Sequence, residues 1–351
     1  MTGAVNHIAR RLRGVGRIIG LATVAAAMAA APAAHAEQII PTAKAAEQVV
    51  EIQNSFDSLF GTELRGPKTY SGFEQQLASV AEASQGRIGV AALDLTSGRL
   101  VDVLGNQRFP MASTSKVAIA ATFLDGVDKG RWSLSNRYPL MVPVGSKPFS
   151  TAVAPVRPGE LMSAQQLLEL MITRSNNYAT DALLKVVGGP AAVNAWVRRA
   201  GIDDWHIDRD IATLVRDDGA IDPARVVDTR DSATPLAMVQ LLSGIYQGKW
   251  LSPTSRGVLL GAMSRCVTGK RRITAGVPEN VVVSHKTGSL NNTSSDVGII
   301  QTPDGRVFAV AIYVTGQGGR PNRESRIAAI TRTLYNGYLT EPASFRRTAS
   351  R

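Results

Sequence analysis

The 351-residue sequence predicts an α/β sandwich: a five-stranded antiparallel sheet flanked by terminal helices, with an inserted all-helical lobe. Three observations lead to this fold class. Strand-like segments lie near both ends of the folded region, tight turns join them, and a long stretch between them carries repeated helix-start signals. Because tight turns favour antiparallel pairing, strands from both ends can share one sheet.

The predicted strands are short apolar segments bounded by turn residues. The first two flank the turn Thr96-Ser97-Gly98-Arg99, and the last two flank Pro303-Asp304-Gly305. In order, the five segments cover residues 89–95, 100–104, 281–288, 296–301 and 307–314.

Capping patterns predict the helices. Ser71 with Glu74, and Ser163 with Gln166, form capping boxes. Proline at the first helical position marks further starts at Thr234-Pro235 and Ser252-Pro253. The remaining signals are a helix stop and restart at Gly188-Gly189-Pro190, an apolar helix over 117–124 that is buried on all sides, and a final helix over about 324–338.

The N-terminus predicts an export signal over residues 1–36, with four arginines, an apolar run and Ala34-His35-Ala36 before the cleavage point. An uncleaved anchor is the alternative, although the apolar run is short for a membrane span. Residues 37–69 form a predicted N-terminal arm with a possible helix over 43–56, residues 70–340 the main domain, and residues 341–351 a basic tail. We therefore expect an exported, periplasmic or secreted protein without stable membrane insertion after cleavage.

Charge and cysteine content argue against a nucleic-acid-binding protein and against a fold stabilised by an intramolecular disulfide. The four arginines of the signal account for part of the net charge of +11 and leave +7 for the rest. Basic residues are not interleaved with aromatic ones and no reader motif occurs, so nucleic acid is not an expected partner. The single cysteine, Cys266, permits no intramolecular disulfide, and we interpret it as a half-buried residue near a helix end.

The strongest candidate for chemistry is the motif Ser113-Thr114-Ser115-Lys116. If it opens a helix, Ser113 and Lys116 lie on one face and their functional groups can meet. Serine needs a base to become a nucleophile. Lysine can serve only when its amine is neutral, which burial and nearby positive charge favour.

Two further motifs follow in a fixed order. Ser175-Asn176-Asn177 offers a hydroxyl for proton transfer to a leaving nitrogen and, through Asn177, a side-chain amide for the substrate. Lys286-Thr287-Gly288-Ser289 offers a cation and hydroxyls for a carboxylate, and a glycine that lets a ligand approach the backbone. The backbone N–H groups of Ser113 and Ser289 are candidates for an oxyanion hole.

Together the three motifs, with Phe109-Pro110-Met111 ahead of the serine, resemble the penicillin-recognising serine enzymes, most closely class A β-lactamases. The resemblance covers about residues 70–340. It implies an omega loop that starts at Asp208-Arg209 and ends at Arg230-Asp231, with Arg209 paired to Asp231 across its neck. It also places Arg272 where some family members have an extra arginine facing the substrate carboxylate.

The sequence departs from the family pattern at two points. Asn176 stands where the family has aspartate, a mainly structural residue. The chain also has no glutamate between Glu169 and Glu279, so the glutamate that activates the hydrolytic water in the family is missing. Ile211 falls at its position, which leaves Asp210 as the candidate base by position; two more candidates come from the longer loop, Asp217 and Asp218.

We therefore expect a monomeric serine β-lactamase that acts through an acyl-enzyme on a small β-lactam or peptidoglycan-like substrate. No metal or organic cofactor is expected. The missing glutamate leaves two alternatives open: a peptidoglycan D,D-peptidase or transpeptidase, and a penicillin-binding or sensing module that acylates without turnover. A small-ester hydrolase is a third option.

Overall fold

The computed structural model describes residues 71–340, and their centre is a five-stranded antiparallel sheet. Its strand order is β2-β1-β10-β9-β8. The strands are β1 (Ile88–Asp94), β2 (Leu100–Val103), β8 (Val282–Leu290), β9 (Thr293–Gln301) and β10 (Val307–Thr315).

Strands from the two ends of the domain meet at the centre of this sheet. Val90 of β1 lies opposite Ile312 of β10, and the two strands pair along their whole length. The pairing of β8 with β9 and of β9 with β10 continues the sheet to β8, which is an edge strand in the described part of the chain. The predicted five-stranded antiparallel sheet is thus confirmed.

Nine α-helices surround the sheet within residues 71–340. They are α1 (Gly72–Val80), α2 (Lys116–Asp128), α3 (Ala164–Thr173), α4 (Asn177–Val187), α5 (Gly189–Arg199), α6 (Ile211–Arg216), α7 (Pro235–Tyr246), α8 (Pro253–Ser264) and α9 (Arg320–Thr340).

The two faces of the sheet bury different cores. Side chains alternate along a strand, so β10 turns Val310 and Ile312 to one face and Ala309 and Ala311 to the other. The first face packs against α1 and α9. The second packs against α7 and continues into the helical lobe, whose central helix α2 is buried along most of its length, as the sequence predicts.

The capping signals place the helix starts correctly. Ser71 and Ser163 both form complete capping boxes, and Thr234 caps α7 with Pro235 at its first position. Gly188 ends α4 in the left-handed conformation, φ 103°, where L side chains are strained. The last helix begins at Arg320 rather than near residue 324, because Pro321 is accommodated in its first turn.

The lobe also contains β-structure that the sequence analysis did not predict. β4 (Arg137–Pro143) and β5 (Val156–Ser163) form a two-stranded ribbon, irregular between Pro139 and Met141. Prolines argue against a central strand, but an isolated ribbon tolerates them on its open edges.

Three two-residue strands, β3 (Phe109–Pro110), β6 (Trp205–His206) and β7 (Ser232–Ala233), form a small second sheet that holds the neck of a long loop.

Several predictions concern segments outside the described residues: the export signal, the N-terminal arm with its possible helix, and the basic tail. Within residues 71–340, none of the helices combines the length and the apolar character needed to cross a bilayer.

Candidate active site

Ser113 lies in a 3-10 turn, Ala112–Ser115, that leads directly into α2. The turn is held by side chains that bond back to its start, since Thr114 Oγ1 donates to Met111 O at 2.7 Å and Ser115 Oγ donates to Ala112 O at 2.8 Å. Ala112 adopts φ 48°, an unfavourable value for an alanine. Ser113 itself is only half-buried, unlike the other three residues of the turn; the region between this turn, Ser175 and β8 is called the cleft below.

Lys116, at the first position of α2, is fully buried. Its Nζ donates to Ser175 O and to Asn177 Oδ1, both at 2.7 Å, and lies 3.2 Å from Ser175 Oγ. Burial and the nearby charge of Lys286 hold the pKa of Lys116 well below its usual value, against the opposing effect of Asp181. Both effects shift Lys116 towards the neutral amine that a general base requires.

Ser175 lies between the two lysines. Its Oγ is 3.0 Å from Lys286 Nζ and 3.2 Å from Lys116 Nζ. A hydroxyl has two acceptor positions and one proton, so Ser175 can accept from Lys286 and still exchange its own proton with Lys116 or a third partner. Ser175 has φ 56°, a strained conformation that persists because both lysines and the start of α4 fix the turn.

Lys286, on the edge strand β8, is also fully buried. Burial lowers the pKa of Lys286 to about 8, with Arg272 adding to the effect, while Cys266 and Asp296 oppose it. Its Nζ donates to Thr287 O at 2.9 Å as well as to Ser175. The positive charge of Lys286 thus reaches the cleft through Ser175 rather than through an exposed ammonium group.

The next three residues of β8 run beside the Ser113 turn. A Cβ on Gly288 would lie 2.6 Å from Met111 O and 2.4 Å from Ser295 Oγ, so only glycine allows this approach. Ser289 is exposed.

Thr287 Oγ1 lies 2.7 Å from Thr268 Oγ1, which in turn is 3.2 Å from Cys266 Sγ. Cys266 is a free, half-buried thiol two residues beyond α8.

The sequence predicts that Arg272 faces the substrate carboxylate, but the structure places this side chain in the interior. Its guanidinium is fully buried. All five of its N–H donors are engaged: they bond to the carbonyls of Gly288 and Ser295 at 2.8 and 2.7 Å, to Ser289 Oγ at 2.8 Å, and twice to Glu324 Oε1. The expected direct contact with a carboxylate is thus replaced by support for the backbone and side chain of β8.

Asn176 stands where the family has aspartate, and its position in the structure explains why asparagine can replace that residue. Asn176 is the N-cap of α4, where its Oδ1 accepts from Ala179 N at 2.8 Å. Asparagine and aspartate are about equally good at this position. Asn177, the first residue of α4, is half-buried and holds Lys116, so the second motif positions both Ser175 and the lysine.

The omega loop runs from β6 to β7 and is closed at its neck. Arg209 Nε donates to Asp231 Oδ2 at 2.6 Å, and Asp231 Oδ1 accepts the N–H groups of Asp208 and Arg209. The residues expected to pair across the loop are therefore in contact. Asp231 O also accepts from Met111 N at 3.0 Å, which ties the neck of the loop to the segment that carries Ser113.

The three aspartates considered for water activation all have other contacts. Asp210 caps α6, accepting from Thr213 N at 2.8 Å. Asp217 accepts from Phe149 N and from Arg216, whose hydrogen bond lowers the pKa of Asp217. Asp218 accepts from Asn291 N at 2.9 Å. Among the hydrogen bonds of the described residues, none joins these carboxylates to Ser113 or Lys116.

Asp181 is a site residue that the sequence analysis missed. It is buried on α4, and its two carboxylate oxygens accept the N–H groups of Ile211 and Ala212 at 2.7 and 2.8 Å. Its spacing was the available signal: Asp181 follows Asn177 by four residues and so shares its helix face. The signal becomes visible only when Asn176 is recognised as the N-cap of a helix that Asn177 opens.

Comparison with known proteins agrees with this geometry. A model of the β-lactamase enzyme family matches residues 72–338, which is most of the chain. The chain belongs to the β-lactamase enzyme family.

Named relatives support the assignment. β-Lactamase CTX-M-25 from Escherichia coli is 33% identical over 273 residues, covering 76% of this chain and 89% of that protein. β-Lactamase Toho-1, also from Escherichia coli, is 30% identical over 270 residues, with the same coverage. The solved class A β-lactamase of the last common ancestor of Gram-negative bacteria aligns with a TM-score of 0.67 and 33% identity, over 76% of this chain and 100% of that one.

These relatives confirm the predicted family and its assignment as a serine β-lactamase of the class A type. They do not favour the D,D-peptidase or the non-hydrolysing alternative. The α/β sandwich with its five-stranded antiparallel sheet is likewise the fold of the solved class A β-lactamases.

The neck of the omega loop yields a prediction for stability. Asp231→Ala leaves Arg209, whose side chain is 14% exposed, without its main partner and removes the acceptor of two N–H groups. Breaking such a buried pair costs about 3 kcal/mol of unfolding free energy, measurable by urea denaturation. Asp204→Ala is the control, since Asp204 is 61% exposed and pairs with Arg108 at the surface; it should cost less than about 1 kcal/mol. Equal losses would contradict the structural role of Asp231.

Proposed function

We propose that this enzyme opens β-lactams through an acyl-enzyme on Ser113, with Lys116 as the base and Ser175 as the proton donor. The observation that carries the proposal is the position of Ser175 Oγ between Lys116 Nζ and Lys286 Nζ. Such a bridge lets a proton move from the nucleophile side of the cleft to the leaving-group side.

In the acylation step, Ser113 Oγ attacks the lactam carbonyl carbon and its proton passes to Lys116 Nζ. The carbon–nitrogen bond breaks, and Ser175 gives its proton to the ring nitrogen. Lys116 then returns a proton to Ser175, so no net proton is left on the enzyme. The two short bonds of Lys116, to Ser175 O and Asn177 Oδ1, occupy two N–H groups and leave its third position for this exchange.

The oxyanion is proposed to bind to backbone N–H groups of Ser113 and Ser289. Support comes from the close approach of β8 to the Ser113 turn at Gly288, and from the position of β8 at the sheet edge. Preorganised donors of this kind stabilise the developing charge without reorganisation. Arg272 acts here as a positioning residue, since it fixes Gly288 and Ser289 from behind.

Substrate orientation is assigned to polar groups around the cleft. Asn177 and the Ser289 backbone would align the acyl amide, and Thr287 with the charge of Lys286 would attract the substrate carboxylate. Lys286 acts over a short distance in a poorly solvated environment, where a charge is weakly screened.

This assignment predicts a pH dependence of substrate binding. Because the pKa of Lys286 is lowered to about 8, its ammonium form is lost as the pH rises through that value. The KM for a carboxylate-bearing cephalosporin should therefore increase above about pH 8, by up to about tenfold per pH unit. The methyl ester of the same cephalosporin lacks the carboxylate and should show no such increase. Parallel profiles for acid and ester would contradict the role of Lys286.

Deacylation requires a water molecule and a base. We propose Lys116 for this step too, because Asp210, Asp217 and Asp218 are bonded elsewhere. The proton of the attacking water passes to Lys116 Nζ, and Ser113 Oγ leaves with a proton from the same amine. Asp210 is the alternative base, and the variants described below separate the two.

A substrate comparison tests the proposed reaction. Purified residues 37–351 should hydrolyse a chromogenic cephalosporin and leave a D-Ala-D-Ala peptide intact. Cleavage of the peptide with no turnover of the cephalosporin would overturn the proposal in favour of a D,D-peptidase. An exported, monomeric protein remains part of the proposal, and the sequence of residues 1–36 supports the export.

A further inference from the structure

Asp181 is a buried carboxylate for which the reaction described above has no role. It is 6% exposed and lies one helical turn after Asn177, on the face of α4 that meets Lys116. A carboxylate buried to this extent is costly unless neighbouring groups compensate its charge.

The groups around Asp181 come from three elements. The backbone N–H groups of Ile211 and Ala212 bond to its two oxygens from the omega loop. Lys116 of α2 and Asp210 of the loop act on it through their charges. Lys185, on the same helix, lines the cavity beside it. The missing family glutamate would fall at Ile211, so Asp181 brings a negative charge to the same region from the opposite side.

Asp181 and Lys116 influence each other's proton affinity. Burial raises the pKa of Asp181 to about 7, and Asp210 adds to this, while the two backbone hydrogen bonds and Lys116 oppose it. In return, the charge of Asp181 raises the pKa of Lys116 against the stronger effects of burial and Lys286. The charge of each group thus shifts the pKa of the other, as the smallest of the effects that act on it.

We propose that Asp181 is a positioning residue that supplies the negative charge behind Lys116 and stabilises the ammonium formed there during acylation and deacylation. This rests on the proposed function. The proton moves from Ser113 Oγ, or from the hydrolytic water, to Lys116 Nζ; Asp181 stays ionised and forms no bond to substrate. Among the hydrogen bonds of the described residues none joins Asp181 to Lys116, so the support is electrostatic and acts across the buried face of α4 rather than through direct contact.

Asp181 adjoins a cavity whose lining contains none of Ser113, Lys116, Ser175 and Lys286. The cavity has a volume of about 310 Å³ and lies between α4, the ribbon and the omega loop, with Asp181, Asp210, Leu184, Lys185 and Met141 among its lining residues. Water there can exchange protons with Asp181 while the cleft is filled. The pair can therefore return to its reactive form, a neutral Lys116 beside an ionised Asp181, during turnover.

The test is the pH profile of adduct formation, followed by intact mass with a penicillin. In the wild type the rate should fall below about pH 7, where the pair takes up a proton. Asp181→Asn should lower the plateau on the order of 100-fold. It should also move the acid limb to lower pH, because Lys116 loses the charge that raises its pKa. Asp181→Glu keeps a carboxylate that can extend into the cavity. It should recover part of the plateau rate of adduct formation, and the acid limb of its pH profile should stay near neutral pH.

Asp125→Asn is the matched control, because Asp125 is a similarly buried carboxylate on α2 that pairs with Lys129 and Arg131; its plateau and acid limb should match the wild type. Asp210→Asn tests the alternative base: asparagine preserves the cap of α6, and removing the Asp210 charge lowers the pKa of Asp181, so the acid limb should shift down without the plateau loss of Asp181→Asn. Thermal unfolding of each variant accompanies the kinetics.

Two results would overturn the inference. One is a plateau loss in Asp181→Asn that leaves the acid limb unchanged and is not recovered by Asp181→Glu, which would mean a purely structural role. The other is a loss in Asp210→Asn equal to that in Asp181→Asn, which would make Asp210 the base. A wild type that forms no adduct at all would instead overturn the proposed function.

Discussion

Ser113→Ala is expected to abolish the covalent adduct that the protein forms with a penicillin and to lower kcat by at least about 10⁴-fold. Ser113 is the half-buried hydroxyl at the mouth of the cleft, next to the base and at the start of α2. Without it no acyl-enzyme can form, and only orientation and electrostatic effects on water remain. Intact mass after incubation, together with turnover of a chromogenic cephalosporin, measures both effects.

The same turn provides the control for this prediction. Ser115 also carries a hydroxyl, but its Oγ is buried and donates to Ala112 O. Ser115→Ala should cost about 1 kcal/mol of stability and still form the adduct. Labelling that survives Ser113→Ala, or that disappears in Ser115→Ala alone, would contradict the assignment of the nucleophile.

Lys116→Met is the second change with a large expected effect. Methionine is similar in size to the fully buried lysine and removes only its amine, so packing around α2 is largely kept. Loss of the base should reduce the rate of adduct formation by about 10²–10⁴-fold. Rapid mixing with a chromogenic substrate, followed by intact mass, gives this rate directly.

Lys129 offers a matched lysine at the other end of α2. It is an exposed residue that pairs with Asp125 at 2.7 Å, and Lys129→Met should leave the rate of adduct formation unchanged. If Lys116→Met acylates at the wild-type rate, another group must deprotonate Ser113 and the proposed role of Lys116 is wrong.

Much of the fold could be predicted because local signals and the global structure agree. The capping boxes at Ser71 and Ser163 and the prolines at 235 and 253 mark real helix starts. The apolar strands separated by turns assemble into the central sheet. The ribbon of β4 and β5 escaped prediction because its prolines resemble those of loops, and only its isolation from the main sheet makes them acceptable.

The site was predictable where its chemistry resides in short motifs, and less so where it depends on long-range contacts. Lys116, Ser175 and Lys286 are joined by hydrogen bonds, and Ser113 lies in the turn that leads into the helix of Lys116. The environment of Arg272 depends on Glu324, 52 residues away, so its burial could not be read from the sequence around it. Asp181 likewise acquires its surroundings only when the omega loop folds onto α4.

The most direct test of the central claim is a time course of chromogenic cephalosporin hydrolysis by residues 37–351, with intact mass measured at intervals. We predict many product molecules per enzyme and little lasting adduct, which would mean that Ser113 acylates and that deacylation proceeds without an omega-loop glutamate. One equivalent of product with a persistent increase in mass would contradict this, because the enzyme would then acylate and stall.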